Sequence, residues 1–176
     1  LTIYGGLIFG AIGVGYYAWR QKINILHLAD AAAPGLILAY GIGRIGCHVA
    51  GDGDWGIANT ADKPGWLGWL PDKLWAYNYP HNIINECETS LNELAAGGAC
   101  PQISECEGPN CTFLLNTVFP TPIYELAMAL MIFGILWFLR KRIAIPGMIM
   151  ALYLMFNGIE RFLIEKIRVN ATFDFI

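Results

Sequence analysis

The chain has 176 residues, enough for one domain; 56% are hydrophobic and only 14% are charged. Soluble globular domains carry about 25% charged residues, so the composition argues against an ordinary soluble domain and for a membrane protein with a polar insertion. The net charge of −3 hides an asymmetry: residues 51–120 hold nine acids and two bases, while most bases fall in short polar segments elsewhere.

The first segment, Leu1 to Trp19, has no formal charge and is long enough to span a bilayer with little tilt. Gly6 and Gly10 form a small-xxx-small pair suited to close helix packing. Arg20 and Lys22 follow at once. Leu1 stands where a start Met would be, which reads as a processed, truncated or partial chain, and the start has no signal-peptide pattern. The second apolar segment runs from Asp30 to Val49, with Pro34 expected in a first helical turn and Asp30 upstream as its cap. Its uncharged core, Ala31 to Gly43, is short for a simple span. It is expected to be either a protein-buried span or a re-entrant helix.

Residues 51–119 are not membrane-like. Pro64-Gly65, Pro71, Pro80, Gly97-Gly98 and Gly108-Pro109 are turn signals. The run Trp66, Trp69, Trp75, Tyr77 and Tyr79 reads equally as an interfacial aromatic belt or as a small aromatic core. Pro120 to Leu139 is the third span, with Tyr124 and Glu125 near its start and Arg140, Lys141 and Arg142 at its end. Ile143 to Ile159 is the fourth, ending in Glu160, Arg161, Glu165, Lys166 and Arg168.

The fold expected is an all-α, polytopic helical membrane protein with about four membrane segments. Residues 1–50 and 120–170 form the helical membrane domain, and 51–119 form an external insertion. The basic clusters at Arg20/Lys22 and at residues 140–142 lie in short connectors and are expected to face the cytoplasm. That orientation brings Tyr4, Arg44, Asp52, Tyr124, Glu125, Arg161 and Glu165 toward one outer face. A transporter or channel would instead line a path across the bilayer with such residues.

Within the second segment, the glycine-studded stretch from Ala39 to Gly56 carries a single cation, Arg44. A cation in an apolar segment is expensive and usually functional. Cys87, Cys100, Cys106 and Cys111 all fall in the insertion. An even count there suggests two disulfides, with three pairings open; a zinc site is the alternative. Cys47 is the odd one, read by default as a small apolar residue.

Four segments, in order, resemble one family. Gly43-Arg44-Ile45-Gly46-Cys47-His48-Val49-Ala50-Gly51-Asp52-Gly53-Asp54-Trp55-Gly56 is similar to the GRxGNFxNGExxG signature of bacterial phosphatidylglycerol–prolipoprotein diacylglyceryl transferases. Ile3-Tyr4-Gly5-Gly6-Leu7 resembles the family's FHGGL, and Pro120-Thr121-Pro122-Ile123-Tyr124-Glu125 its HPSQLYE. Gly158-Ile159-Glu160-Arg161-Phe162-Leu163-Ile164-Glu165 resembles its GxxRFxxE. The chain departs from the pattern at Tyr4 (His in the family), Cys47 (Asn) and Asp52 (Glu), and one extra residue separates Asp52 from Gly56. The family's N-terminal spans are not seen before Leu1, so a divergent member is expected.

The resemblance implies transfer of the diacylglyceryl group of phosphatidylglycerol to the lipobox cysteine thiol of a prolipoprotein. A thioether forms and glycerol phosphate leaves, with no metal or soluble cofactor. The implied partners are phosphatidylglycerol, the prolipoprotein signal peptide and the lipid bilayer, not nucleic acid, with a larger membrane complex open. The implied location is the bacterial cytoplasmic membrane, multi-pass, with residues 51–119 periplasmic. Catalytic roles are implied for Arg44, Arg161, Glu165 and Asp52, and substrate-binding roles for Tyr4, Gly5, Gly6, Cys47, Gly56, Tyr124 and Glu125. Arginine suits the phosphodiester because its planar fork binds phosphate oxygens in bidentate fashion. Arg161 and Glu165, four apart on one helix face, are expected to pair. Glu125 could instead sit near the positive end of a helix dipole. His48, the histidine nearest the site in sequence, is read as a satisfied or surface histidine, with a substitute for the base implied by the family's HGG histidine as the alternative. The alternative function is a catalytically weak member that binds phospholipid or lipoprotein as a subunit of a membrane complex.

Overall fold

The computed structural model describes residues 2–84, 87, 103, 106, 108 and 110–168; the side chains of residues 2–4 and 7 lie outside that description. Among the described residues the chain forms four α-helices and no strand: α1 (Thr2–Arg20), α2 (Ile25–Ala50), α3 (Thr121–Leu139) and α4 (Met148–Glu165). Two of them, α2 and α3, are long and apolar enough to cross a membrane.

The second helix corrects the sequence reading. It is one continuous helix of 26 residues, about 39 Å long, rather than a short or re-entrant piece. It starts early because Asn24 caps it: the Asn24 side-chain oxygen accepts from the Leu26 amide at 2.9 Å and its carbonyl from the Leu28 amide at 3.1 Å. Pro34 therefore lies inside the helix, not in its first turn. Asp30 is not its cap either. The Asp30 carboxylate accepts from the amides of Gly147 at 2.6 Å and Met150 at 2.9 Å, capping α4 from the neighbouring helix. The fourth helix accordingly begins at Met148, later than Ile143, and runs on to Glu165, so Glu160, Arg161 and Glu165 are helical residues.

The chain divides into two compact units. The first comprises Leu1–Ala39 and Leu130–Gly158, and the second Tyr40–Ala129 and Ile159–Ile176. In the first unit, Ala18, Ala33, Ile37, Leu136 and Ile149 are buried, while Phe9, Ile12, Trp19, Trp137 and Leu154 are exposed.

The second unit holds the described part of the insertion. Two short 3-10 turns, Gly65–Leu67 and Asp72–Leu74, are the insertion's only helical pieces among the described residues. Isolated bridges pair Gly56 with Arg168, and Val118 with both Ala58 and Tyr77. Trp55, Tyr79, Leu114 and Val118 make a small core, with Tyr77 packed against it. The aromatic run thus divides. Tyr77 and Tyr79 join this core, whereas Trp66 and Trp69 are 77% and 78% exposed. Cys106 and Cys111 form a disulfide, Cys87 is also disulfide-bonded, and Cys100 lies outside the described residues. Zinc ligation is therefore overturned for these three thiols.

Candidate functional site: a chain of alternating charges

Arg44, near the end of α2, is held on three sides within the second unit. Its Nη1 forms an ion pair with Asp54 and its Nε with Glu125 of α3. Its Nη2 donates to the Tyr40 hydroxyl at 3.3 Å. Tyr40 lies one turn earlier on the same helix, its ring centroid 5.0 Å from the guanidinium carbon, close enough for a cation–π contact. The Tyr40 hydroxyl in turn donates to Glu160 Oε1 at 3.3 Å. The Arg44 and Glu125 side chains are only 11% and 3% exposed. Paired charges are the arrangement that makes such burial tolerable.

The pairing continues at both ends. The second oxygen of Asp54 binds Arg168. The second oxygen of Glu125 lies 3.7 Å from Arg161, whose Nε lies 3.9 Å from Glu165. Arg168, Asp54, Arg44, Glu125, Arg161 and Glu165 thus alternate in sign along one network. The arginines are not equivalent. Arg44 is enclosed, while the Arg161 side chain is 46% exposed and its two carboxylates stand at long range. An exposed, loosely paired guanidinium can exchange partners for an incoming anion at little cost.

Backbone geometry sets this register. Gly51 ends α2 at a φ of +62°, where a Cβ would meet Asn82 Cβ at 2.8 Å, so glycine is required there. The Thr121 hydroxyl donates to the Asp54 carbonyl at 2.5 Å. The Gly56 amide donates to the Phe119 carbonyl at 2.9 Å and the Ile57 amide to the Ile167 carbonyl at 2.8 Å. These bonds seat Asp54 between the start of α3 and the residues following α4. Gly56 is buried at that junction, and an added Cβ would lie 2.7 Å from the Ile167 carbonyl and 2.9 Å from Phe119 Cβ. Gly56→Ala is therefore expected to destabilise the fold by about 1–3 kcal/mol and to loosen Arg168 from Asp54. A fall in the thermal unfolding midpoint checks this.

The other residues expected from sequence are distributed as follows. Asp52 is exposed and has no ion pair among the described residues; its Oδ1 lies 3.4 Å from the Asp54 amide. Cys47 is half-buried, its sulfur 3.9 Å from Arg44 Nη1. Tyr124 donates to the Leu74 carbonyl at 2.9 Å, tying α3 to the insertion. Gly5 and Gly6 lie on α1 in the first unit, with open space where a Cβ would be; the Tyr4 side chain lies outside the described residues. His48 Nδ1 sits 3.1 Å from the Tyr79 hydroxyl, with its ring against Tyr77 and Tyr79. Burial pushes the Tyr79 hydroxyl above its ordinary pKa, so it stays protonated and able to donate to that nitrogen. His48 thus has the partners of a structural histidine. Cys47, Asp52 and Asp54 place ligand-type atoms within 4.8 Å of one another, but Asp54 is already engaged by two guanidinium groups.

Three members of the network were not singled out as site residues from sequence: Asp54, Tyr40 and Glu160. Arg168 follows just beyond the end of α4. Tyr40 is four residues before Arg44, a spacing that carries a usable signal; Glu160, adjacent to Arg161, has none, since neighbours in sequence do not face each other on a helix. Glu160 is 2% exposed, and its Oε2 has no hydrogen-bond partner among the described residues.

Residues 1–175 match the family model described as prolipoprotein diacylglyceryl transferase. The chain belongs to that family. Among curated members, the phosphatidylglycerol–prolipoprotein diacylglyceryl transferase of Leptospira interrogans is 29% identical over 171 residues, covering 97% of this chain and 42% of the relative. The enzyme of that name from Corynebacterium glutamicum is also 29% identical over 171 residues, covering 97% of this chain and 46% of the relative. The Clostridium perfringens transferase 2 is 53% identical over a shorter stretch of 50 residues, 28% of this chain and 20% of that relative. The chain spans about half the length of the curated relatives it matches. No solved structure matches it. Family membership bears out the resemblance read from the four sequence segments.

Proposed function

We propose that this chain carries out the reaction for which its relatives are named, transferring the diacylglyceryl group of phosphatidylglycerol to a prolipoprotein cysteine. The observation that carries the reading is the Arg44–Glu125–Arg161 relay, in which a buried, fixed arginine and an exposed, loosely paired one share a single carboxylate. The leaving group is glycerol phosphate, which departs with the former bridging oxygen of the phosphodiester. Arg161 is suited to take its oxygens, because it can give up two long ion pairs for charge-assisted hydrogen bonds. Arg44 keeps its three partners and holds Glu125 in place. The thiol sulfur forms the new carbon–sulfur bond, the glyceryl carbon–oxygen bond breaks, and the thiol proton is balanced by the oxygen freed on the departing glycerol phosphate.

In this reading α1 and α4 also cross the bilayer, giving four spans in the bacterial cytoplasmic membrane. Support comes from their exposed apolar residues, such as Phe9, Ile12, Leu154 and Phe162, which are costly in water and at home in lipid. The positive connectors face the cytoplasm and residues 51–119 the periplasm. Trp66 and Trp69, exposed on the insertion, suit the membrane–water interface there.

The test is purified protein in phosphatidylglycerol micelles with a lipobox peptide, read by mass spectrometry. The expected result is a gain of one diacylglyceryl group on the peptide cysteine. Peptide and lipid binding without that gain would replace this reading with the binding-subunit one.

A further inference from the structure

The first unit carries a second charged feature, of the opposite kind to the alternating network. A cleft of about 440 Å3 is lined by His27, Asp30 and Pro34 of α2, by Arg140 and Lys141 after α3, and by the 143–149 segment leading into α4. Its only acid among the described residues is Asp30, and both Asp30 oxygens are occupied by the amides that open α4. Arg140 and Lys141 have no acidic partner at ion-pair distance among the described residues, whereas Arg44, Arg161 and Arg168 each do. The Arg140 guanidinium carbon lies over the Trp137 ring, 3.2 Å from its centroid, a cation–π contact. The lining also includes the apolar Pro34 and Ile149 and the exposed Ile145.

Unpaired cations beside apolar lining residues are complementary to a molecule with an anionic head and hydrocarbon tails. We propose that this cleft is a binding site for the phosphate headgroup of an anionic phospholipid drawn from the bilayer, separate from the alternating network. The inference rests on the membrane-spanning part of the proposed function and not on the transfer reaction. Basic pockets between helices on the cytoplasmic side of a membrane hold such headgroups by the same forces.

The experiment uses the full chain in detergent and native mass spectrometry, titrating phosphatidic acid against phosphatidylcholine. In an Arg161→Gln background, which removes the network's own headgroup ligand, the chain is expected to hold phosphatidic acid tighter than phosphatidylcholine by about tenfold or more, and adding Arg140→Gln/Lys141→Gln is expected to abolish that preference. Arg140→Lys/Lys141→Arg is expected to keep it. An undiminished preference in the neutral double variant overturns the proposal. So does full competition by inorganic phosphate, which would make the cleft a simple anion site. Should the double variant lose its helical signal, Ala144→Glu on the exposed rim sets an opposing charge in the cleft, and an unchanged preference there overturns the proposal equally. Loss of preference in Arg161→Gln alone would assign the lipid to the alternating network instead. If wild type retains neither lipid, the membrane reading and this site fall together; if it retains both equally, only this site falls.

Discussion

Replacing Arg161 with alanine is expected to lower diacylglyceryl transfer by about 10²–10³-fold, the loss typical when one donor to a developing anion is removed. The thermal midpoint should barely move, because exposed ion pairs contribute only about 0–1 kcal/mol, and the Arg161 side chain is 46% exposed with partners at 3.7 and 3.9 Å. Arg161→Lys is expected to recover only part of the rate. A lysine supplies charge but not the planar fork that meets two phosphate oxygens. The measurement is the initial rate of peptide lipidation at saturating and limiting phosphatidylglycerol, beside a melting curve. A rate near wild type in Arg161→Ala would remove Arg161 from the phosphate and leave it as a partner of Glu165. A large fall in melting temperature would show that its exposure is misleading and that it is structural.

The apolar helices were legible because a long uncharged run is readable directly from the sequence. The start of α1 and the extent of α3 follow from the apolar runs within a residue or so. Helix α2 was legible to its end but not at its start, read at Asp30 where it begins at Ile25, and its uncharged core was cut short at Arg44. Its neutralisation depends on Asp54 and Glu125, ten and 81 residues away in the chain, and local hydropathy carries no information about partners that distant. Asp30 illustrates the same limit. A carboxylate one turn before a proline is a reasonable cap for its own helix, yet the orphan amides it satisfies belong to α4.

The motif residues show where sequence order falls short of geometry. Family spacing pointed to Asp52, whereas the carboxylate meeting Arg44 belongs to Asp54. The choice is made by backbone bonds at Thr121 and Gly56, not by the acids themselves. The pairing of Arg161 with Glu165 was readable from the four-residue spacing alone, and it is present at 3.9 Å. The even cysteine count foretold disulfides, but the Cys106–Cys111 bridge depends on how the intervening five-residue step folds.

Glu125→Ala is expected to cost about 3–5 kcal/mol, the penalty for leaving a buried charge without its partner. The sequence allowed Glu125 to be a helix-start acid favoured by the dipole, but it lies beyond the first turn of α3, 2% exposed, between two arginines. Removing it leaves Arg44 with Asp54 as its one carboxylate and brings Arg44 and Arg161 into uncompensated repulsion. Glu125→Gln should be milder, since an amide oxygen can still accept from Arg44 but carries no charge. Replacing both members of the pair, Arg44→Met with Glu125→Met, should unfold at a higher temperature than Glu125→Ala, because no unpaired guanidinium remains. Thermal unfolding of the four proteins in detergent tests that order. A Glu125→Ala midpoint equal to wild type would mean that water already reaches Arg44, and the division into a fixed and a free arginine would fail. The expected order instead makes Glu125 the residue that fixes Arg44, so its effect on transfer would follow from fold loss, while that of Arg161 would not.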